Sequence, residues 1–259
     1  MSDTHLSLPQ GRYSHITPIL KKFLESWRKG KDKEEWLLYV NGDYIDRAFF
    51  EKEKIVAGDE DYRFQETKLF LDSTKPYFRK VLVNFGTGHD FGNIEKAESQ
   101  TQTKRIGSYK WGGVDIIWFT VFPATFGIHP ALKYEEYEKL DNLLSKTQNA
   151  ILMTHVPLRT EDSYEYGNWA NGTNLTIPET DKAFSILKKR NAQILAIFQG
   201  HIHKQYRSEL FGIPVFCFPF IMNSSHCELK QYDRYVHVQC KDKQFDDESL
   251  EINGLDYKT

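Results

Sequence analysis

Five short clusters of imidazole and carboxylate side chains follow one another along the chain. They are Asp3-Thr-His5, Gly42-Asp43-Tyr-Ile-Asp46, Gly88-His89-Asp90, His155-Val-Pro157 and Gly200-His201-Ile-His203. In extended backbone, residues two positions apart point the same way, so the two ligands of the first cluster can reach one cation, as can the two imidazoles of the last. Together, the clusters can supply the ligands of a two-metal site.

A two-metal site of this composition is suited to phosphate chemistry. Asp43 follows a glycine that permits a sharp turn, and its two carboxylate oxygens can bridge two metals about 3.5–4 Å apart. Such a pair would clamp a phosphate group and lower the pKa of a bridging water. Mixed carboxylate and imidazole ligation favours Mn, Fe, Zn or Co over Mg or Ca, and Mn is the first choice.

Apolar runs rich in β-branched and aromatic residues precede four of the clusters and predict strands. The predicted strands cover residues 36–40, 81–85, 114–122, 150–153, 194–198, 206–211, 213–218 and 235–240. Helices are predicted at 15–29, with Thr17 as N-cap and Pro18 as first helical residue, at 131–146 and at 181–191. Residues 91–109 and 159–176 are predicted to be loops. The clusters then lie at carboxyl ends of strands, where layered α/β folds bind ligands.

Composition narrows the class of protein. The 259 residues suffice for one large α/β domain, 1–259, with a β-rich part at 205–259. Because 34 basic residues nearly balance 36 acidic ones, binding of nucleic acid by bulk charge is not expected. No apolar run has the length of a membrane span, so no membrane partner is expected either. The odd set of cysteines, Cys217, Cys227 and Cys240, favours a reduced, cytoplasmic setting.

The five clusters, in this order, resemble the signature of the calcineurin-like metallophosphoesterase superfamily. The resemblance covers the chain from Asp3 to His203 and implies a four-layer α/β sandwich, in which two central mixed β-sheets are flanked by helices. It implies hydrolysis of a phosphodiester or phosphomonoester by hydroxide bound to two divalent metals. It assigns the first metal to Asp3, His5, Asp43 and His203, and the second to Asp43, His155 and His201. By the same resemblance, His89 assists the leaving group and Asp46 orients His89.

The sequence departs from this family in two places. Gly88 stands where the family has a metal-binding asparagine, so either water fills the missing position or the site is impaired; Asn84 is not expected to substitute. Only Met1 and Ser2 precede Asp3, where the family has an apolar strand of about five residues. The chain is therefore expected to begin late or to be trimmed, which leaves room for an upstream signal; the alternative is a genuine start with a sheet that closes differently.

An aromatic segment follows His155. Tyr164, Tyr166 and Trp169 can form a stacking platform for a nucleobase or an apolar leaving group, or can simply pack the loop onto the body. Arg159 can bind phosphate, or can be a solvated surface arginine. The expected partner is a phosphate ester, with a nucleotide as the first candidate.

Two functions stay open from sequence. The first is a metal-dependent phosphoric ester hydrolase, and the second is a binding or scaffold protein that keeps the fold but has lost chemistry at Gly88. A purely structural zinc protein fits poorly, because structural zinc sites are dominated by cysteine and the clusters contain none.

Overall fold

The computed structural model describes most of the chain up to residue 217 and four short strands beyond it. The described residues are 4, 6, 8–11, 16–29, 32–46, 48–51, 54–57, 59–86, 90, 93–120, 134–166, 176–203, 206–217, 236–237, 240–241, 244–245 and 251–252. None of the helices within them is long and apolar enough to cross a membrane.

The described part alternates strands with helices. The helices are α1 Ile16–Trp27, α2 Glu60–Thr74, α3 Ile94–Thr101, α4 Tyr134–Ser145, α5 Glu161–Tyr166 and α6 Lys182–Lys189, with 3₁₀ turns at Lys33–Glu35, Lys75–Tyr77 and Asn191–Gln193. The longer strands are β1 Leu37–Asn41, β2 Ala48–Glu51, β3 Lys54–Ala57, β4 Lys80–Asn84, β5 Ile106–Trp111, β6 Val114–Phe119, β7 Ala150–Met153, β8 Ile194–Gln199, β9 Tyr206–Leu210 and β10 Ile213–Cys217. Two-residue strands follow: β11 Val236–His237, β12 Cys240–Lys241, β13 Gln244–Phe245 and β14 Glu251–Ile252.

Two sheets form the centre. The larger sheet has the strand order β5-β6-β7-β8-β10-β9, with four parallel inner strands and an antiparallel strand at each edge. The smaller sheet pairs β1 with β4 in parallel, from Leu37 opposite Lys80 to Asn41 opposite Asn84. Three further antiparallel pairs stand apart from these sheets: β2 with β3, β11 with β14 and β12 with β13.

An apolar layer joins the two sheets. Tyr39 of β1 and Leu82 of β4 pack against Trp118, Met153 and Phe198 of the larger sheet. Burying a large apolar side chain of this kind contributes about 1.5–3 kcal/mol. The inner faces of the two sheets therefore share one core.

The opposite faces of both sheets are covered by helices. Side chains alternate along a strand, so Val40 and Val83 of the smaller sheet point away from the shared core and pack with Leu24 of α1 and Phe70 of α2. On the far side, Leu152 of β7 packs in one cluster with Leu140 of α4 and Leu187 of α6. The order of layers is helices, sheet, sheet, helices, which confirms the expected α/β sandwich. The larger sheet is mixed, as expected, whereas the smaller one consists of two parallel strands within the described residues.

The predicted strands are confirmed within one or two residues at most ends, apart from 114–122 and 235–240, which exceed the described strands. Two predicted helices are also confirmed, with α4 starting at Tyr134 and α6 capped by Asp181, whose carboxylate accepts a hydrogen bond from the Ala183 amide at 2.8 Å. The third predicted helix, 15–29, is found as α1, but its predicted N-cap was wrong. The helix begins at Ile16, so Thr17 and Pro18 lie within its first turn rather than at its N-cap and first position.

Two predicted loops contain regular structure. Residues 91–109 include α3, which Asn93 caps by accepting from the Lys96 amide at 2.9 Å, and most of the edge strand β5. Only one face of β5 is covered, so polar residues occupy its other face and its sequence resembles that of a loop. Residues 159–176 include α5, so Tyr164 lies on a helix rather than in a loop.

Helix α2 was not predicted from the sequence. Its buried face carries Glu66, Thr67, Ser73 and Thr74 beside Phe70 and Leu71, and polar residues at buried positions conceal the apolar period of a helix. Asp59 caps its start by accepting from the Tyr62 amide at 2.8 Å. This helix covers the turn that contains Asp43, where the Tyr44 hydroxyl lies 3.2 Å from the Thr67 hydroxyl.

Candidate metal centre

Three of the side chains proposed to bind metal converge at one edge of the sandwich. Asp43 follows β1 of the smaller sheet, while His155 and His201 follow β7 and β8 of the larger sheet. One ligand atom from each lies within 4.8 Å of the others, and all three side chains are buried. Ligands that surround one cation each lie about 2.0–2.2 Å from it, so this grouping is compatible with a shared ion.

The geometry around His155 indicates what the cluster needs. Its Nδ1 lies 2.6 Å from the carbonyl oxygen of Asn41. A carbonyl can only accept, so Nδ1 donates, and in the neutral ring the lone pair belongs to Nε2. Nε2 lies 3.3 Å from Oδ2 of Asp43, an acceptor atom. Two acceptors at this distance require a proton or a cation at the site, and a metal ion meets that requirement.

The third ligand packs directly against this pair. The imidazole rings of His155 and His201 contact edge to face, with centroids 5.1 Å apart. The rings are thereby held at a fixed mutual angle in a site almost closed to water. Ligand atoms that are already oriented lose less conformational entropy when a cation binds.

Two glycines allow the ligands to approach so closely. A Cβ at Gly42 would lie 2.4 Å from the His155 ring, and a Cβ at Gly86 would lie 2.3 Å from Oδ1 of Asp43. Any other residue at either position would displace a proposed ligand. Gly86 lies just after β4. No role was predicted for it from the sequence, whereas Gly88 was expected to affect metal binding.

The backbone is strained at the proposed ligands. Asp43, His201 and His203 have φ values of +46°, +69° and +55°, in the left-handed region that residues with a Cβ seldom adopt. Such strain costs on the order of 1–3 kcal/mol per residue and concentrates at functional sites. His203 itself is exposed and is not one of the three clustered side chains.

Asp90 holds the turn that presents Asp43. Its buried carboxylate accepts hydrogen bonds from the amides of Asp43 and Tyr44, both at 2.8 Å, and from the amide of Gly86 at 2.5 Å. Burial, reinforced by the neighbouring Asp43 carboxylate, raises the pKa of Asp90, whereas the amide donors from Gly86 and Asp43 and the nearby His155 act in the opposite direction. The sequence identified Asp90 only as the end of the third cluster, because the amides of Asp43 and Tyr44 that it binds lie more than forty residues away.

The start of the chain runs beside the same turn. Leu6 forms an isolated parallel bridge with Ile45, and its backbone exchanges hydrogen bonds with Tyr44 and Asp46 at 3.0 and 3.2 Å. The Thr4 hydroxyl donates to the carbonyl of Tyr44 at 2.8 Å. Asp46, proposed to orient the leaving-group histidine, is fully buried.

Several predicted positions are not described. Asp3, His5, Gly88 and His89 lie outside the described residues. The ligands of the first metal, the role of His89 and the effect of Gly88 on the site therefore stay predictions. Asn84 is described and is engaged elsewhere: its amide nitrogen donates to Asn41 Oδ1 at 3.2 Å, and its Oδ1 accepts from the Thr120 hydroxyl at 2.7 Å.

The proposed substrate contacts are described in part. The guanidinium of Arg159 lies over the ring of Tyr164, 5.0 Å from its centroid, and Nε donates to the Thr176 hydroxyl at 3.1 Å. Tyr164 remains 48 % exposed. The side chain of Tyr166, at the end of α5, and Trp169 lie outside the described part. Arg159 and Tyr164 therefore form a cation–π pair, in which the guanidinium is attracted to the face of the ring.

Several solved structures are similar to this chain over most of its length. A purple acid phosphatase from yellow lupin (Lupinus luteus) superposes with a TM-score of 0.54 at 13% identity, over 85% of this chain and 43% of that one. A phosphopantetheinyl hydrolase from Mycobacterium tuberculosis reaches a TM-score of 0.49 at 12% identity, over 85% and 88% of the two chains. The GAP50 anchor of the Plasmodium inner membrane complex reaches 0.48 at 10% identity, over 85% and 70%.

At these identities, structural likeness shows the fold alone. No curated protein matches the chain by sequence. The profile of the calcineurin-like phosphoesterase family, in contrast, matches residues 1–205, which include all five clusters and both central sheets up to β8. By its sequence, its layered fold and its Asp-His-His cluster, the chain belongs to the calcineurin-like phosphoesterase family.

Proposed function

We propose that the chain is a metal-dependent phosphoric ester hydrolase that works with two divalent cations. The observation that carries the proposal is the buried Asp43, His155 and His201 cluster, in which Nε2 of His155 lies 3.3 Å from a carboxylate oxygen of Asp43. A site of that kind is costly to maintain unless a cation occupies it. Family membership supports the phosphate ester as substrate class.

The proposed ligand sets follow the sequence assignment. Asp43 would be a ligand of both positions; Asp3, His5 and His203 would complete the first, and His155 and His201 the second. Bound divalent cations, Mn before Fe, Zn or Co, would supply Lewis acidity toward the phosphoryl oxygens and a lowered pKa for the attacking water. The chain itself contributes ligands at fixed angles and a site from which bulk water is largely excluded.

The proposed proton transfer uses the second and third clusters. As the new phosphorus–oxygen bond forms in line, the bond to the leaving oxygen breaks, and His89 donates a proton to that oxygen. Asp46 is proposed to orient His89. Its complete burial suits this role, because a carboxylate shielded from water interacts strongly with an imidazolium.

The substrate is proposed to be a phosphodiester or a phosphomonoester, with a nucleotide as the first candidate. Arg159 is the proposed phosphate contact, and Tyr164, Tyr166 and Trp169 are the proposed stacking residues. The described pair supports this choice, because Tyr164 presents an exposed ring and Arg159 lies over it. Substituting Tyr164 by alanine is expected to raise KM for a nucleotide several-fold and to leave KM for a small aryl phosphate nearly unchanged.

The test of the main proposal is hydrolysis of an activated aryl phosphodiester by the purified protein loaded with Mn²⁺. We expect His201→Ala to lower turnover by at least about 10³-fold, as expected when a metal-centred site loses a ligand. Asn142→Ala, on the exposed surface of α4, is the matched control and should keep native turnover. Equal turnover in native protein and His201→Ala would refute the assignment and indicate a contaminating hydrolase.

The second candidate is a binding or scaffold protein of the same fold, favoured by glycine at position 88. Metal stoichiometry separates the two candidates: two tightly bound cations per chain support the hydrolase, and one or none supports the scaffold. Gly88→Asn restores the family's amide. A large rise in turnover would show that the native site is impaired, whereas unchanged turnover would show that it has compensated.

A cytoplasmic location is proposed from the cysteines. Cys217 is buried at the end of β10, and the chain has three cysteines, an odd number. Mass spectrometry after alkylation under non-reducing conditions should find all three thiols modified. A disulfide in the protein isolated from cells would contradict the proposed compartment.

A further inference from the structure

One buried asparagine connects the two sheets beside the proposed metal ligands. Asn41 ends β1 and is completely buried. Its Nδ2 donates to the carbonyl oxygen of Thr154 at 2.9 Å and also lies 3.4 Å from the carbonyl oxygen of Phe198. Asn41 belongs to the smaller sheet, whereas Thr154 follows β7 and Phe198 lies in β8 of the larger sheet. The amide therefore fixes the carboxyl ends of both sheets relative to each other.

The same residue contacts the peptide and the ring of a proposed ligand. The main-chain carbonyl of Asn41 accepts from Nδ1 of His155 at 2.6 Å, and the Asn41 amide holds the carbonyl of the preceding residue, Thr154. His155 is thus held on its backbone side and on its ring side. Asn41 also lies two residues before Asp43, so any shift of Asn41 changes the spacing between the two ligands.

A second amide and a hydroxyl extend this hydrogen-bond network away from the proposed ligands. Asn84, opposite Asn41 in the β1–β4 pair, donates from Nδ2 to Oδ1 of Asn41 at 3.2 Å. Thr120, after β6, donates to Oδ1 of Asn84 at 2.7 Å. The carbonyl of Thr154 can only accept, so Nδ2 of Asn41 must face it; Oδ1 of Asn41 then accepts from Asn84, and Oδ1 of Asn84 accepts from Thr120. In a low-dielectric interior such networks strengthen their members and specify one arrangement.

We propose that Asn41 is the positioning residue of the metal centre: it sets the separation of Asp43 and His155 and fixes the imidazole with Nε2 toward the cation. The inference rests on the metal-binding part of the proposed function. Outer partners of metal ligands act in this way, because they hold the ring and its tautomer, and their loss typically weakens metal binding about 10–100-fold. A residue that only braced the fold would affect stability and leave metal affinity unchanged.

The test compares two substitutions in the same network. Asn41→Ala removes the contact to Thr154. Thr120→Val removes a buried hydrogen bond from the same network but touches neither proposed ligand, so it is the matched control. Mn²⁺ and Zn²⁺ affinities are measured by titration calorimetry on metal-free protein, with folding checked by circular dichroism and thermal unfolding. The absorption spectrum of the Co²⁺-substituted protein reports ligand geometry independently of activity.

We expect Asn41→Ala to weaken the tighter metal at least tenfold and to alter the Co²⁺ spectrum, while Thr120→Val lowers Tm with less than a threefold change in affinity. If Asn41→Ala does not fold, Asn41→Thr, a better strand former, is measured in its place with the same expectation. Native affinity in the folded Asn41 variant, or an equal loss in Thr120→Val, would overturn the inference.

These outcomes separate the inference from the proposed function. Tight metal binding without hydrolysis would refute the hydrolase and leave the role of Asn41 intact. Hydrolysis and metal binding that do not respond to Asn41→Ala would refute only the role of Asn41. A native protein that binds no divalent cation would overturn both.

Discussion

Gly86→Ala tests whether the close approach of β4 to Asp43 is what shapes the metal centre. A Cβ at Gly86 would lie 2.3 Å from Oδ1 and 2.4 Å from the backbone nitrogen of Asp43. Gly86 is not among the residues with positive φ, so the added methyl causes a steric conflict without backbone strain. The conflict therefore acts directly on the proposed bridging ligand and on the turn that Asp90 holds.

The size of the effect follows from that distance. The backbone nitrogen of Asp43 must retreat by about 0.6 Å to reach 3.0 Å, below which Cβ contacts are essentially never seen. Metal–ligand distances tolerate only about 0.2 Å. A misplacement approaching 1 Å can lower the reaction rate on the order of 10²-fold. At about 1.4 kcal/mol per tenfold, this is roughly 2.8 kcal/mol of activation free energy. Overpacking itself should lower the free energy of unfolding by about 1–3 kcal/mol.

Gly107→Ala is the matched control. A Cβ at Gly107 would lie 2.5 Å from the ring of Trp118, a conflict of similar size within the β5–β6 pair and away from the proposed ligands. Both variants should lose similar stability in urea unfolding with a chelator present, and only Gly86→Ala should lose Mn²⁺ affinity by calorimetry. Native affinity in Gly86→Ala, or an equal loss in Gly107→Ala, would refute the reasoning.

Two further predictions concern α6. The Arg190 guanidinium lowers the pKa of Asp141, so the stability that this pair contributes is present above the carboxyl's ordinary pKa and disappears as pH falls through its lowered value. Asp141→Asn should therefore lower the free energy of urea unfolding by up to about 1 kcal/mol at pH 7, and by progressively less as the pH falls through the lowered pKa of Asp141. Tyr137→Phe removes a 2.8 Å hydrogen bond to Asp181, the α6 cap, and should lower the free energy of unfolding by about 1–2 kcal/mol in the same assay; unchanged stability would contradict it.

Strands β1, β4, β6, β7, β8 and β10 were predictable because each is a short, dense apolar run. β7 matches the predicted residues 150–153 at both ends, and β8 differs by one residue. The clusters were predictable for the same reason, since each follows such a run. Helix α2 and strand β5 were not, because their buried or half-buried residues include polar ones whose partners lie far away in sequence. Local pattern contains no information about those partners.

The sequence by itself determined the types and order of the chemical groups. In order, the five clusters carry a carboxylate with an imidazole, two carboxylates, an imidazole with a carboxylate, one imidazole, and two imidazoles. The sequence also determined the family and the layered fold, because strand periodicity and ligand spacing are local properties. The tertiary structure decided which of those groups meet. It brought Asp43, His155 and His201 together and gave supporting roles to residues for which the sequence had predicted none.

Those supporting roles belong to Asn41, Gly86 and Asp90. Asn41 acts on a histidine 114 residues further along the chain, and Asp90 on amides 46 and 47 residues before it. Nothing in the local sequence distinguishes a buried asparagine that spans two sheets from one that ends a surface strand. The difference arises only when the two sheets pack face to face and the carbonyls of one lie within hydrogen-bonding distance of the other, because buried polar groups must then find their partners across the fold.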